Sequence, residues 1–437
     1  MTLSTDWRKW FERKCKEGGT GLHKKPPKLP SVALVDFMAV PKGQGPCTVD
    51  ELAGLLCGRM LARAPSSDVY IIMCDDKGNM PPPRINVRSK RDQDENPLAL
   101  YETALACIEN GYPISKECLN MSDVTEHVLD ALLKSHVLAK LKKPILIMSA
   151  KKKEWYNNVS YDGIDEELIE TAFKYGEADL RIAFLAARLA EQGETVLADT
   201  VDGDFLVSML LWQKIREEMN QESIHGTVYQ YKSVGALSKE NPYQDMMEMY
   251  TFLNADWDVV SVVAAAFLLP SDYTDTKLRH PLISRTVNIR TGSQLVAVLN
   301  RAPEDFPDCG ISINSDGVKI NIRLALEFQK TMPLRTGGLA LTHEETMLQF
   351  QKSILNMAFT MAYFCCCFFE KEWPDHRYLG YDEIGMARVQ DELVVVEASH
   401  AATMNAKITS VNVHESVTHH VPFQLLGSSG VPMYSRF

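Results

Sequence analysis

The chain has 437 residues and a formal net charge of −11, with 45% hydrophobic and 24% charged residues. These fractions are those of ordinary globular proteins, so they exclude a collagen-like, low-complexity or intrinsically disordered protein. The acidic balance argues against a protein that covers nucleic acid with a uniformly basic surface, but local basic patches can still contact phosphate.

The cysteines and the apolar runs indicate where in the cell the protein is located. The ten cysteines, in a chain without a secretion signal at its start, predict reduced thiols and therefore a protein of the cytoplasm or nucleus. The longest apolar runs, at residues 259–269 and 357–369, are shorter than the roughly 20 residues that a membrane-spanning helix needs. We therefore expect an intracellular protein with no membrane insertion.

The first 30 residues are interpreted as a basic leader. Residues 6–28 carry eight Lys or Arg and three acidic residues, and Gly and Pro interrupt them. This leader is a candidate surface for nucleic acid or for a protein partner.

After the leader, short apolar runs alternate with amphipathic segments. The apolar runs predict buried strands at residues 32–36, 69–75, 145–148, 195–199 and 227–231. The amphipathic segments predict helices at residues 49–63, 123–142, 165–192 and 204–218. Fully apolar strands that alternate with helices indicate a parallel sheet covered on both faces. We therefore predict a doubly wound α/β core with a mostly parallel sheet over residues 31–275.

Basic stretches interrupt this core, and the pattern changes after it. Residues 134–153 hold seven Lys and no acid, so they are either a solvated surface or a path for single-stranded nucleic acid. A helical stretch at residues 342–372 and β-rich segments near residues 393–397 and 408–421 predict a second, mixed region over residues 276–437.

Acidic residues collect where the predicted strands end. In an open parallel sheet, ligands bind outside the carboxyl ends of the strands. The acids at these ends or at the start of a neighbouring helix are Asp36, Asp75 (or its neighbour Asp76), Glu177, Asp179, Asp199, Asp202, Asp204 and Asp272.

Converging carboxylates predict a cation site. They repel each other and lose hydration, which is tolerable when divalent cations neutralise them. A set of oxygen ligands without His or Cys favours Mg²⁺ or Mn²⁺ over zinc, and two such ions promote phosphodiester hydrolysis. A single Asp after a strand is more often a helix cap or a turn residue. The ordered set is harder to explain in that way.

The order of these acids resembles the 5′-nuclease superfamily, which includes flap endonucleases and XPG-type nucleases with a PIN-like α/β core. The phrases that carry the resemblance are GEADLRIAFLA (176–186), VDGDFL (201–206) and FLLPSDY (267–273). The resemblance covers about residues 30–275. It implies one metal ion held by Asp36, Asp75, Glu177 and Asp179, and a second held by Asp202, Asp204 and Asp272.

The resemblance also implies a helical gateway, here an insertion over about residues 84–143. In the family, basic residues beyond the second aspartate grip the scissile phosphate, a role that suits charge-assisted hydrogen bonds. The corresponding residues here are Arg84, Arg88, Lys90 and Arg91.

The chain also departs from the family. The leader carries Trp7 and Trp10 where the family begins with a Gly-containing segment, and residues 274–291 lack the glycine hairpin that holds duplex DNA. Such divergence is expected of a nuclease from a large DNA virus, which would act where that virus replicates its DNA.

Together with these acids, the resemblance implies a structure-specific nuclease that uses two Mg²⁺ or Mn²⁺ ions on DNA with a 5′ end, flap or branch. Two alternatives remain open: an RNA endonuclease of the same fold, and a catalytically silent scaffold that binds nucleic acid or a replication or recombination protein. A silent relative would be expected to lose metal ligands, whereas all seven expected positions are acidic.

Overall fold

A computed structural model describes the core of the chain and several short strands beyond it. The described residues are 5–40, 45–75, 97–119, 121–218, 221, 223–232, 240–256 and 259, and strands between residues 311 and 395. They form an α/β protein with an eight-stranded, mixed sheet. The expectation of an α/β protein with a mostly parallel sheet is therefore confirmed.

The large sheet and its helices alternate along the chain. The strands are β1 (Leu22–His23), β2 (Val32–Asp36), β3 (Val69–Met73), β4 (Ile145–Met148), β5 (Lys153–Trp155), β6 (Thr195–Asp199), β7 (Thr227–Tyr231) and β8 (Tyr243–Asp245). The helices are α1 (Thr5–Gly18), α2 (Val49–Arg63), α3 (Pro97–Asn110), α4 (Lys116–Leu119), α5 (Ser122–Lys134), α6 (Glu166–Phe173), α7 (Ala178–Glu191), α8 (Gly203–Glu218) and α9 (Met246–Asp256).

The strand order is β1-β8-β7-β6-β2-β3-β4-β5. The five strands predicted from apolar runs are β7, β6, β2, β3 and β4, and they pair in parallel at the centre. They are almost wholly buried because helices cover both faces. The remaining strands, β1, β5 and β8, pair in antiparallel fashion at the two flanks.

Alternate strand residues face different helices, since successive side chains of a strand point to opposite faces. Val35 and Leu197 belong to one apolar cluster with Leu52 and Leu56 of α2 and Leu129 of α5. Helix α7 packs against β2 and β6 and covers the opposite face. This alternation decides which acids at the strand ends meet.

Two predicted helices are shorter than expected. The segment 165–192 forms two helices, α6 and α7, separated by four residues that include Gly176, a poor helix former. The segment 123–142 ends its α-helix at Lys134, because Ser135 is extended and its hydroxyl donates to Asp50 Oδ1 at 2.6 Å.

The basic N-terminal segment contributes to the core. Helix α1 buries Arg8, Phe11 and Glu12, and β1 pairs with β8 at the edge of the large sheet. Within the described part of the chain, no helix is both long enough and apolar enough to cross a bilayer.

Beyond residue 310 the described elements are strands. β9 (Ile311–Asn314), β10 (Gly317–Asn321), β13 (Met386–Val389) and β14 (Glu392–Val395) form an antiparallel sheet, and β11 (Arg335–Thr336) pairs with β12 (Leu339–Ala340). Strand β14 matches the strand expected near residue 393. The expected helix at 342–372 and the expected strands at 408–421 lie outside the described residues.

Candidate metal centre

Asp36 ends β2 at the carboxyl edge of the sheet, opposite Met73 of β3. Because alternate residues share a face, its side chain lies on the same face as that of Leu34, toward α7. Its Oδ1 accepts a hydrogen bond from the Met38 amide at 2.9 Å and so caps a short 3₁₀ turn. The side chain is thereby both a local cap and a member of the strand-end group.

Asp75 follows β3 at the same edge. Its Oδ1 accepts a hydrogen bond at 2.8 Å from the amide of Ala178, the first residue of α7. The partial positive charge of a helix N-terminus favours a carboxylate here. Glu177, which is buried, immediately precedes Ala178. Asp75 and Glu177 are therefore brought together, whereas the alternative Asp76 lies outside the described residues.

Asp179 lies in the first turn of α7, and the Thr200 hydroxyl donates to its Oδ1 at 2.8 Å. Burial raises the pKa of Asp179 well above its usual range, and the charges of Asp202, Asp36, Asp75 and Asp204 raise it further, in that order. These five carboxyl groups are therefore within electrostatic reach of one another.

The loop between β6 and α8 carries the two aspartates of the DGD phrase. The Asp202 amide donates to Thr200 Oγ1 and the Asp204 amide donates to Asp202 Oδ1, both at 3.3 Å. Asp204 is only 1% exposed. The loop therefore folds back on itself and keeps both acids beside Asp179.

A buried polar network from α1 and β7 binds the backbone of this loop. Arg8 of α1 donates from Nη1 to the Asp202 carbonyl at 2.7 Å and from Nη2 to Gln230 Oε1 at 2.6 Å. Gln230 of β7 donates to the carbonyls of Thr200 (3.0 Å) and Asp202 (2.9 Å). Glu12 balances the charge of Arg8, with an N–O distance of 2.9 Å. Helix α1 and strand β7 thus fix the backbone that carries Asp202.

A second buried arginine joins the strand ends to α7. Arg181 Nη1 donates to the carbonyls of Cys74 (3.0 Å) and Ser149 (2.9 Å), which follow β3 and β4. The same side chain donates to the carbonyls of Phe173, the last residue of α6, and Tyr175, which lies between α6 and α7. Sequence reasoning missed Arg8, Gln230 and Arg181. Only Arg181 left a signal, as a cation within an apolar helical stretch.

Asp199 ends β6 on the opposite face, the one covered by α2. Its oxygens accept hydrogen bonds from Arg59 at 2.6 and 2.7 Å, and Arg63 completes the group. The fold itself compensates this charge. Asp199 was grouped with Asp202 and Asp204 in the sequence, but the structure separates it from them.

A separate group could hold one metal ion at the β1–β8 flank. The ligand atoms of His23, Asp245 and Glu248 all lie within 4.8 Å of one another, and His23 Nε2 is 3.0 Å from Glu248 Oε2. Asp245 also caps α9, since its Oδ1 accepts from the amides of Met247 and Glu248. Burial raises the pKa of Asp245. No motif marks this group, because His23 is remote in the chain from Asp245 and Glu248.

Three lysines of the Lys-rich stretch 134–153 are engaged within the protein. Lys143 pairs with Asp68, Lys152 with Asp130, and Lys153 with Glu166 and Glu170. Their charges are locally balanced, as expected for a solvated, ion-paired surface.

The expected site residues fall into two groups. The structure gathers Asp36, Asp75, Asp179, Asp202 and Asp204, with Glu177 next to Asp75. Asp272 and the basic residues Arg84, Arg88, Lys90 and Arg91 lie outside the described residues. The chain matches no model of a known protein family and no curated protein. Its function must therefore be argued from the site itself.

Proposed function

We propose that the protein is a metal-dependent nuclease that hydrolyses phosphodiester bonds of DNA bearing a 5′ end, flap or branch. The observation that carries this proposal is the convergence of five carboxyl groups at one edge of the sheet, where burial and then the other four carboxylates raise the pKa of Asp179. The proposal includes a PIN-like core of the 5′-nuclease type, which the order of the acids along the chain supports.

The donor set fits hard divalent cations. Each gathered side chain offers carboxylate oxygens, which suit Mg²⁺ or Mn²⁺ better than softer metals. Carboxylates held close together repel one another, and a cation bound between them offsets that repulsion. Burial, followed by the charges of the neighbouring aspartates, raises the pKa of Asp179, and a bound cation would favour its ionised form.

In this proposal the seven acids share two ions. Asp36, Asp75, Glu177 and Asp179 hold one, and Asp202, Asp204 and Asp272 hold the other. Two such ions, when bound, supply Lewis-acid activation of water and stabilise the charge on the leaving oxygen.

The chain's own residues position these ligands and the substrate. The Thr200 hydroxyl orients Asp179, and Gln230 fixes the carbonyls on either side of Val201. We assign to Arg84, Arg88, Lys90 and Arg91 the orientation of the phosphate, since guanidinium and ammonium groups bind phosphate oxygens through charge-assisted hydrogen bonds.

The test is cleavage by the purified full chain in Mg²⁺ or Mn²⁺. Labelled 5′-flap, nicked, single-stranded and blunt duplex DNA should be compared with an RNA of the same sequence. We expect cleavage of the flap or branched DNA that EDTA abolishes. Full cleavage in EDTA would refute the metal mechanism. Cleavage of RNA alone would identify an RNA endonuclease, and binding without cleavage of any substrate would identify a silent scaffold.

A further inference from the structure

Glu126 is a buried carboxylate that the nuclease resemblance does not include. It lies in the first half of α5 and is 8% exposed. Its Oε1 accepts a hydrogen bond from the Ala150 amide at 2.7 Å, whereas among the described residues its buried Oε2 has no hydrogen-bond partner. Burying a carboxylate oxygen without a partner is costly, so such a group calls for a bound ion or water.

The position of Glu126 adds weight to this. Ala150 follows Ser149, and Arg181 Nη1 binds the carbonyls of both Ser149 and Cys74. Glu126 therefore anchors the first half of α5 to the segment that follows β4. Arg181 joins that segment to Cys74, the residue before Asp75. The backbone shows the same neighbourhood, because the Cys74 amide donates to the Met148 carbonyl at 3.0 Å and so holds the carboxyl ends of β3 and β4 side by side.

We propose that Glu126 is a further carboxylate ligand of the candidate metal centre, with its Oε2 directed to a divalent cation at the ends of β3 and β4, beside Asp75. This inference rests on the proposed function, since it assumes that the acidic edge binds cations. It extends the cation site from the strand-end acids of β2 and β3 to helix α5.

The chemistry matches a hard divalent ion. Oε1 is held by the Ala150 amide, which fixes the carboxylate plane and leaves Oε2 as the donor. A carboxylate held in this way by its second oxygen is a pre-oriented ligand, and such orientation raises metal affinity.

The experiment is a titration of the metal-free full chain with Mn²⁺, followed by calorimetry and by melting temperature, without any nucleic acid. Glu126→Gln keeps an oxygen acceptor for Ala150 but removes the charge. The matched control is Glu154→Gln, an exposed glutamate on the neighbouring strand β5. We expect Glu126→Gln to weaken Mn²⁺ binding by at least about tenfold, since losing a residue that only orients a ligand already costs about 10- to 100-fold. Glu154→Gln should bind Mn²⁺ as wild type does.

Melting in EDTA separates metal binding from a structural role. Removing an uncompensated buried charge should leave the melting temperature of Glu126→Gln unchanged or raised, and the increase caused by Mn²⁺ should shrink. A lower melting temperature in EDTA together with an unchanged Mn²⁺ affinity would overturn the inference. If Glu126→Gln fails to fold, Glu126→Asp keeps the charge but withdraws the oxygens by one methylene. Wild-type affinity in that variant would likewise overturn it.

A parallel titration of Asp202→Asn/Asp204→Asn separates a failure of the Glu126 assignment from a failure of the proposed function. One outcome refutes only the role of Glu126: wild type binds Mn²⁺, the double variant binds it weakly, and Glu126→Gln binds it as wild type does. If wild type shows no saturable Mn²⁺ binding, the proposed function fails with it.

Discussion

Asp199 and Asp179 lie near the same edge of the sheet but in opposite electrostatic surroundings. Two guanidinium groups, from Arg59 and Arg63, neutralise Asp199 on the face covered by α2. Asp179 lies on the other face, where burial and then the charges of four aspartates raise its pKa. The protein's own arginines neutralise Asp199, whereas the carboxylates around Asp179 lie close together despite their mutual repulsion. That contrast supports our proposal that the second group binds a cation.

The contrast follows from strand geometry. Asp199 shares its strand face with Leu197, and Asp36 shares its own with Leu34, so the two aspartates point to opposite sides of the sheet. The chain then leaves β6 through Thr200, and the loop returns Asp202 and Asp204 to the face of Asp179.

The largest effect is expected from removing both loop aspartates. Asp202→Asn/Asp204→Asn should lower metal-dependent cleavage by at least about a hundredfold, since direct ligands matter more than the supporting residues of a metal site. The fold should be retained, and the melting temperature in EDTA should rise because like charges are removed. Flap cleavage and thermal melting measure the two effects. Wild-type cleavage by this variant would contradict the site and favour the silent scaffold.

Asp199→Asn should lower the stability of the protein but leave its metal affinity unchanged. It leaves two partly buried guanidinium groups without their carboxylate, which should cost about 1–3 kcal/mol of unfolding free energy. The affinity for Mn²⁺ should stay that of wild type. Urea unfolding and Mn²⁺ titration test both parts. A loss of metal affinity with unchanged stability would show that Asp199 belongs to the metal centre after all.

Gln230→Met should weaken the site without touching a ligand. The variant removes the donor that holds the carbonyls of Thr200 and Asp202, so the loop acids lose their fixed geometry. We expect Mn²⁺ affinity to fall about tenfold. Gln213→Met is the matched control, since this buried glutamine also donates to a carbonyl, that of Met246. If both variants reduce Mn²⁺ affinity equally, the effect reflects general destabilisation.

The smallest effect is a pH dependence of stability. The pKa of Asp179 is raised in the folded protein, so the unfolded chain releases this proton at lower pH. In EDTA, the stabilisation is therefore fully present below the ordinary pKa of an aspartate, about 4. It is lost as pH rises through the raised value. Urea unfolding of wild type and Asp179→Asn, from about pH 4 to pH 8, measures the difference. Parallel curves for the two proteins would contradict the raised pKa.

Metal should remove this dependence. A bound cation stabilises the ionised form of Asp179, so wild type in Mn²⁺ should lose less stability as the pH rises than it does in EDTA. Repeating the unfolding series in Mn²⁺ provides the control within the same protein.

The sequence alone determined the strands that carry the site. Five apolar runs predicted the five central parallel strands, because strands buried on both faces need continuous apolar residues. It also determined that acids would follow β2, β3 and β6, since each acid is adjacent in sequence to the strand that places it. Strand burial and the adjacency of an acid to a strand are local properties, so they can be predicted from short stretches of sequence.

Only the tertiary structure decided which acids meet and what holds them. Arg8 and Gln230 act on the Asp202 loop from α1 and β7, and Glu126 approaches the edge from α5. Their partners are remote in the chain, so no spacing or periodicity marks them. In the sequence, Asp199 belongs to the same acidic group as Asp202 and Asp204. In the fold, the pleat of β6 directs its side chain to the opposite face, where it pairs with Arg59. The physical reason is that charge compensation depends on distances through space, which sequence separation does not fix.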